Sequence, residues 1–393
     1  MDTKSWFYLP DGLIYLDGNS LGPLPVATKA RVSRLLEDQW GEQLIRGWNT
    51  CGWMEAPTRI GDRLARLMGA APGTVTVGDT LSIKVFQAVS SALALNPERK
   101  VILSDTGNFP SDLYMVEGLI KSLNQGHKLV LVEPEHIEAA LDETVAALML
   151  THVDYRTGRL HNMDMLTGIA RDHGIYTVWD LAHSAGAVPV DVTACNVDFA
   201  IGCTYKYLNG GPGAPAFIYV NPRLIESVQP TLSGWLGHAD PFAFERSYRA
   251  GAGIERMRVG TPPVIALAAL DAALDIWDDV DMHSIRQQSI ELSNEFIECV
   301  ESQCSELKLA SPRDAEKRGS QVSFHFVDGY AVVQALAAEG VIGDFRAPDI
   351  IRFGFTPLYL DKTDVLLAAQ KLVDIVQSRR YDTAAYRTRA RVT

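Results

Sequence analysis

Tyr176-Thr177-Val178-Trp179-Asp180-Leu181-Ala182-His183 is a short apolar run that ends in a carboxylate. Its length and its polar boundary predict a strand buried on both faces, with Asp180 at the carboxyl end. The same pattern recurs on either side. Val75–Val77, Val101–Leu103, Leu129–Val132, Ala146–Leu150, Phe199–Ile201 and Ala216–Val220 are apolar runs bounded by polar or turn residues. Helical patterns separate them. Pro25 opens an amphipathic stretch carrying Val26, Val32, Leu35, Leu36, Trp40 and Leu44. Gly78-Asp79-Thr80 leads into another that carries Ile83, Phe86, Val89 and Leu93. Strands alternating with helices predict βαβ units and a mostly parallel sheet. After Pro262 the texture changes to helices near 263–277 and 283–303, a strand over 321–326, a helix near 329–339, a strand at Ile350–Phe353 and a last helix near 362–378. That order predicts a smaller α+β domain.

Composition narrows the function classes. The 393 residues carry 36 Lys+Arg against 48 Asp+Glu, a net charge of −12. With no basic run, this argues against a nucleic-acid or anionic-membrane partner. No apolar stretch reaches the ~18 residues of a membrane span. MDTKSWFYLPDG lacks an apolar signal core, so the expectation is a cytoplasmic protein. Cys51, Cys195, Cys203, Cys299 and Cys304 are odd in number and scattered, which suits a reducing compartment.

In an α/β sheet, ligands collect at the carboxyl ends of the strands, and four features fall there. Asp180 ends its strand; alone, it reads as a cap for the next helix. Lys206 follows an apolar strand and precedes the glycine-rich Asn209-Gly210-Gly211-Pro212-Gly213; alone, it reads as a surface lysine. Together the two are more specific. Lys206 lies 26 residues after Asp180. Pyridoxal phosphate needs a lysine for its aldehyde and a carboxylate for its pyridine nitrogen. Thr80-Leu81-Ser82 opens a helix whose free N–H groups suit a phosphate, or marks a plain N-cap at Asp79 or Thr80. Arg352, on a late strand, offers a fork for a carboxylate or is a solvated arginine.

Longer strings carry a resemblance. They are Tyr15-Leu16-Asp17-Gly18-Asn19-Ser20-Leu21-Gly22, Asn108-Phe109-Pro110-Ser111-Asp112, Asp180–Gly186, Gly202–Gly213 with its Tyr205-Lys206-Tyr207-Leu208-Asn209, Ser233-Gly234-Trp235, and Arg352–Tyr359. Over nearly its whole length the sequence resembles the kynureninase family of pyridoxal-phosphate enzymes. The resemblance implies fold type I, the aspartate-aminotransferase-like α/β architecture of the class V branch. It implies an N-terminal segment over 1–45 joining the small domain, a large cofactor domain over 46–262, and a small α+β domain over 263–393. The implied reaction is hydrolysis of L-kynurenine to anthranilate and L-alanine, in tryptophan breakdown or in supply for nicotinamide synthesis.

The resemblance also implies residue roles. Lys206 would bind the cofactor aldehyde, and Asp180 the ring nitrogen, with His183 beside it. Phe109 would stack on the ring, flanked by Pro110, Ser111 and Asp112, with Thr151 near the ring hydroxyl. Leu81, Ser82, Tyr205, Trp235 and Thr261 would surround the phosphate. Trp235 and Thr261 would come from a second subunit, which implies a homodimer. Tyr205 would carry a proton late in the reaction. Arg352 would hold the substrate α-carboxylate, with Ser20 and Trp48 lining the pocket. Leu81 and Leu236 stand where the family commonly has Thr and Phe. Trp48 and Thr261 match the form that prefers kynurenine over 3-hydroxykynurenine.

Rival readings have specific weaknesses. A cysteine desulfurase needs a nucleophilic Cys in its C-terminal part, and no Cys follows Cys304. Such an enzyme would also stack His, not Phe109, on the ring. An aminotransferase differs by needing a keto-acid acceptor. A catalytically dead scaffold would have lost Lys206 or Asp180. His152 and His161, with Asp154 and Asp164, fit no zinc spacing, so no metal is expected. Trp6, Trp40 and Trp53 read as core or interface, Cys299 and Cys304 as packing residues, and the mixed-charge stretch Arg379–Arg391 as a solvated terminus.

Overall fold

The computed structural model describes residues 3–389; Arg391 of the C-terminal stretch lies outside them. Seven strands form the central sheet: β1 (Val75–Val77), β2 (Val101–Asp105), β3 (Lys128–Val132), β4 (Val145–Thr151), β5 (Tyr176–Asp180), β6 (Phe199–Gly202) and β7 (Phe217–Val220). Their spatial order is β1-β7-β6-β5-β4-β2-β3. From β3 to β6 every pairing is parallel. β7 alone runs against both its neighbours, β6 and β1.

Helices cover both faces, and side-chain alternation divides the core between them. Ile102, Met149, Val178 and Ile201 point to one face, towards Val85, Ala88 and Val89. Leu103, Leu148, Leu150, Trp179 and Ala200 point to the other. β4 is buried along its whole length. β3 departs from the expectation of two buried faces. It is the edge strand, and Val130 and Leu131 are exposed. With a neighbour on one side only, it receives less cover than β4.

Along the chain the helices are α1 (Val26–Arg34), α2 (Ala56–Leu67), α3 (Leu81–Leu95), α4 (Pro110–Leu123), α5 (Met163–Asp172), α6 (Val264–Leu274), α7 (Met282–Gln303), α8 (Gly329–Ala338) and α9 (Lys362–Gln377). The C-terminal strands β8 (Lys308–Leu309), β9 (Gln321–His325), β10 (Asp344–Arg346) and β11 (Ile350–Gly354) form an antiparallel sheet in the order β8-β9-β11-β10. Its centre is a ring cluster in which Phe296 of α7 lies 4.9 Å from Phe353 and 5.3 Å from Phe355.

The N-terminal segment is tied to this second sheet. Ile14–Tyr15 pairs in parallel with Val341–Ile342, and Gly354 N donates to Leu16 O at 2.7 Å. The amphipathic stretch after Pro25 is not one helix. α1 ends at Arg34, and a π-helical segment Leu35–Gly41 and a 3₁₀ turn Leu44–Arg46 follow. Arg31 anchors α1 to Asp271 and Asp275 of the α6 region at 2.9 and 3.1 Å. Leu36, Trp40, Leu44 and Ile45 are left exposed. Nor is the C-terminal stretch merely solvated: Arg387 pairs with Asp328 and Asp382, each at 2.8 Å. No described helix is long and apolar enough to cross a membrane.

Candidate active site

Three strand ends build the floor of the site. Thr151 closes β4 and Asp180 closes β5, and the two are register partners. The chain after β6 turns at once into Thr204-Tyr205-Lys206. Lys206 Nζ lies 3.3 Å from His183 Nε2, 5.9 Å from the Phe109 ring centre and 5.7 Å from that of Tyr205. The cap expected of Asp180 does not form, because a tight turn and no helix follows it. Asp180 Oδ1 instead accepts from Ala182 N at 2.9 Å.

Asp180 and Asp112 form a buried, hydrogen-bonded carboxyl pair. Burial pushes Asp180 up to about 6 although Lys206 opposes it. That excess of desolvation over attraction corresponds to roughly 3 kcal/mol. Burial, then the charge of Asp180, raises Asp112 as well. Asp112 Oδ2 has no partner. Burial, with Lys206 adding to it, holds the His183 imidazole well below its usual range and neutral. Its Nε2 also meets Asn19 O at 3.1 Å, and Nδ1 is unpartnered. Burial, reinforced by Cys203, raises the Tyr205 phenol, so it keeps its proton.

The start of α3 has no side-chain cap. Thr80 is the N-cap in an extended conformation and makes no side-chain cap bond. Asp79, at φ +57°, turns its carboxylate to Lys84 Nζ at 3.3 Å. The plain N-cap reading thus fails. The first N–H groups, of Leu81 and Ser82, meet no capping side chain and carry the positive end of a 15-residue helix.

The N-terminal string links this floor to Arg352. Gly22 N donates to Tyr205 O at 2.8 Å. A side chain at Gly22 would place its Cβ 2.3 Å from Lys206 O, so only glycine fits. Asn19 touches His183, and Ser20 Oγ accepts from Arg352 Nη2 at 2.9 Å. Arg352 is fully buried, not solvated. It donates through Nε to Asp344 Oδ1 at 2.7 Å and through Nη1 to Tyr155 O. The Tyr155 ring stands edge-on to Phe109 at 5.0 Å, which brings the two ends of the site together.

This chain resembles named proteins over almost its full length. A family model described as "Kynureninase C-terminal domain" matches residues 285–372. A second, "DegT/DnrJ/EryC1/StrS aminotransferase family", matches residues 86–203. A kynureninase of Pseudomonas fluorescens is 50% identical over 99% of this chain and 95% of its own length. The chain belongs to the kynureninase family. A kynureninase of Burkholderia pseudomallei (strain 1106a) is 48% identical over the same shares. Solved structures support the fold. An apo cysteine desulfurase of Thermococcus onnurineus superposes with a TM-score of 0.81 at 20% identity, over 96% of this chain and 98% of that one. The cysteine desulfurase CsdA of Escherichia coli gives 0.79 at 19%, over 95% and 96%. The chain therefore has the α/β fold of fold type I.

Within one chain of this kynureninase-family fold, Lys206, Asp180, His183, Asp112, Phe109 and Tyr205 converge. Pro110 and Ser111 open α4 beside them, and Ser111 Oγ is 3.5 Å from Asp112 Oδ1. Thr151 Oγ1 donates to Asn108 Oδ1 at 2.5 Å. Trp48 lies elsewhere, edge-on to Trp53 at 5.3 Å, in an apolar cavity of about 430 Å³ shared with Trp40, Leu44 and Ile45. Trp235 is exposed against Phe242. Thr261 lines a crevice with Asp79 and Lys84.

Asn108, Tyr155, Asp344 and Arg346 are members that sequence reasoning missed. Asn108 stood inside a quoted string, and its role shows only as a hub joining Ser104, Thr151 and the Phe109 N–H. No described group of three or more His, Cys, Asp or Glu could hold a metal. His161 instead pairs with Asp105 at 2.8 Å. All five cysteines are free.

Proposed function

We infer that this chain is a pyridoxal-phosphate-dependent kynureninase. It hydrolyses the Cβ–Cγ bond of L-kynurenine to give anthranilate and L-alanine, a step of tryptophan catabolism. The observation that carries the reading is the 50% identity over nearly the whole chain to a kynureninase, together with Lys206 set among the buried Asp180, Asp112 and His183.

The residues fit the cofactor. Buried carboxyls with an unpartnered Asp112 oxygen suit a cationic ring nitrogen, and the uncapped start of α3 suits a phosphate. Lys206 would hold the aldehyde, Asp180 the ring nitrogen with His183 and Asp112 behind it, and Phe109 the ring face. Pro110, Ser111 and Thr151 would complete the ring's surroundings. Leu81, Ser82 and Tyr205 would meet the phosphate, with Trp235 and Thr261 of a second copy. When bound, the cofactor supplies an electron sink next to the substrate Cα.

The chain's own groups then handle protons and orientation. Arg352, with Ser20 beside it, holds the α-carboxylate. Lys206 Nζ takes the Cα proton, holds it through the bond cleavage, and returns it to Cα before L-alanine leaves. Water adds to the γ-carbonyl, and the Cβ–Cγ bond breaks, releasing the aryl carboxylate. The Tyr205 hydroxyl, kept protonated by burial, delivers a proton to Cβ, and L-alanine leaves.

We propose a homodimer whose interface covers Leu36, Trp40, Leu44 and Ile45. Trp40, Leu44 and Ile45 line one apolar cavity with Trp48, and Leu36 is exposed on the same segment, more apolar surface than scattered residues need explain. The division into 1–45, 46–262 and 263–393 is supported by the pairing of Ile14–Tyr15 with Val341–Ile342. A cytoplasmic location is supported by five free cysteines. Preference for kynurenine over 3-hydroxykynurenine rests on Trp48 and Thr261. The experiment is product analysis with cofactor-loaded protein. Anthranilate and alanine in equal amounts from L-kynurenine, without added keto acid, is the expected result. Turnover only when pyruvate is supplied would identify an aminotransferase instead.

A further inference from the structure

Lys84 occupies a buried position of α3, where an apolar residue would be expected. It lies alongside the buried Val85, Ala88 and Val89 of the same helix and is 1% exposed. An unconstrained lysine extends its stem and carries the ammonium to water. This one uses its donors inside the protein. Nζ donates to Gln87 Oε1 at 2.9 Å and to Asp79 Oδ2 at 3.3 Å. Gln87 Nε2 donates in turn to Met257 O at 2.9 Å, which braces the ammonium against the turn Gly253–Met257. Burial lowers the pKa of the ammonium, and the Asp79 carboxylate opposes that.

Asp79 stands two places before Leu81, at φ +57°, a backbone region uncommon for a residue with a side chain. Its conformation sets the direction in which the chain enters α3, and with it the orientation of the Leu81 and Ser82 N–H groups. Thr80 contributes no side-chain cap, so the side-chain hold on this turn is the Lys84–Asp79 bond. A buried ion pair seldom adds net stability over an apolar replacement; what it can add is a fixed geometry. We propose that Lys84 is a positioning residue: by pinning Asp79 it holds the first N–H groups of α3 in the arrangement that receives the cofactor phosphate. The proposal rests on the reading that this helix start meets that phosphate.

A direct contact between the ammonium and a phosphate is the alternative. The crevice that Lys84 lines with Asp79 and Thr261 holds only about 20 Å³, space for one water. No phosphate fits there, so the influence of Lys84 passes through Asp79.

The test uses the full chain freed of cofactor and two probes that differ only in the phosphate, pyridoxal 5′-phosphate and pyridoxal, titrated through the absorption band each forms on the protein. Lys84→Met keeps the length of the stem and removes the ammonium. Loss of a charged hydrogen-bonding partner predicts ~10–100-fold weaker affinity for pyridoxal 5′-phosphate, with pyridoxal affinity unchanged. Equal weakening of both probes, or of neither, overturns the proposal. Asp79→Ala separates positioning from charge. Taking a carboxylate away from a phosphate site strengthens phosphate binding if charge alone matters. Positioning predicts weaker binding instead, and a double variant no weaker than the weaker single one. Tighter or unchanged affinity for pyridoxal 5′-phosphate in Asp79→Ala, or losses that add in the double variant, refute it. If Lys84→Met lacks a cooperative unfolding transition, Asp79→Ala decides alone. The unmodified protein is the control. Equal affinity for the two probes there would overturn the phosphate reading of α3 and the proposal with it, whereas a preference that both variants keep overturns the role of Lys84 alone.

Discussion

Two buried charge clusters lie at opposite ends of the site, and their environments push a central carboxyl in opposite directions. Around Lys206, two carboxyls face one ammonium, and burial raises both carboxyls. Around Arg352, two guanidiniums face Asp344, whose carboxyl is held low chiefly by Arg352, and Asp17, which burial pushes up to about 7. In the proposed reading a ring nitrogen meets the first cluster and a substrate carboxylate meets the second. The string Asn19-Ser20 touches both, so one short segment sets the distance between them.

Removing the carboxylate of the first cluster should do the most damage. Asp180→Ala is expected to lower kcat by ~10²–10³-fold or more, because it removes charge stabilisation at the reacting ring, even where cofactor still binds. Steady-state rates with L-kynurenine check this, and near-normal turnover would sink the assignment. The second cluster should act on binding more than on chemistry. Arg352→Gln is expected to raise KM by about 10–100-fold, the worth of a charge-assisted contact, with a smaller change in kcat.

How much of this asymmetry could be read from sequence depends on the element. Lys206 and Asp180 follow apolar strands directly, so their place at the sheet's carboxyl end was legible. The Asp344 cluster was not. Gly343-Asp344-Phe345-Arg346 is too short to show a strand period, and its meaning comes from antiparallel pairing with β11. Arg352 alone looked solvated because nothing local announces its burial. The stretch after Pro25 has a helical apolar period, but beyond the buried Leu35 that stripe is exposed at Leu36, Trp40 and Leu44, and the α-helix gives way after Arg34. Trp48, in the neighbouring apolar cavity, and the exposed Trp235 likewise lack full cover within the chain.

That open face supplies the next break. Leu44→Asp places a charge on the proposed interface and is expected to yield monomer by sedimentation, with activity falling in step with the dimer fraction. Full activity in a monomer would separate the clusters from any second copy.

The smallest effect concerns pH. The folded-state pKa of Asp17 is raised from 3.8 to about 7. Its protonated form is favoured in the fold, so stability is complete below about pH 4 and declines as pH rises towards 7. Asp17→Asn should remove that decline, on the order of a few kcal/mol at most, measured by urea unfolding at pH 5 and pH 8. It should also flatten any rise in KM above pH 7. Identical pH profiles for the two proteins would show that Asp17 does not balance the arginines.

The most direct measurement of the central claim is borohydride reduction of the cofactor-loaded protein, followed by mass mapping of its peptides. The account predicts a single pyridoxyl adduct on Lys206 and its complete loss in Lys206→Ala. An adduct on another lysine, such as the buried Lys84 of α3, or no adduct in a protein that converts L-kynurenine, would contradict it.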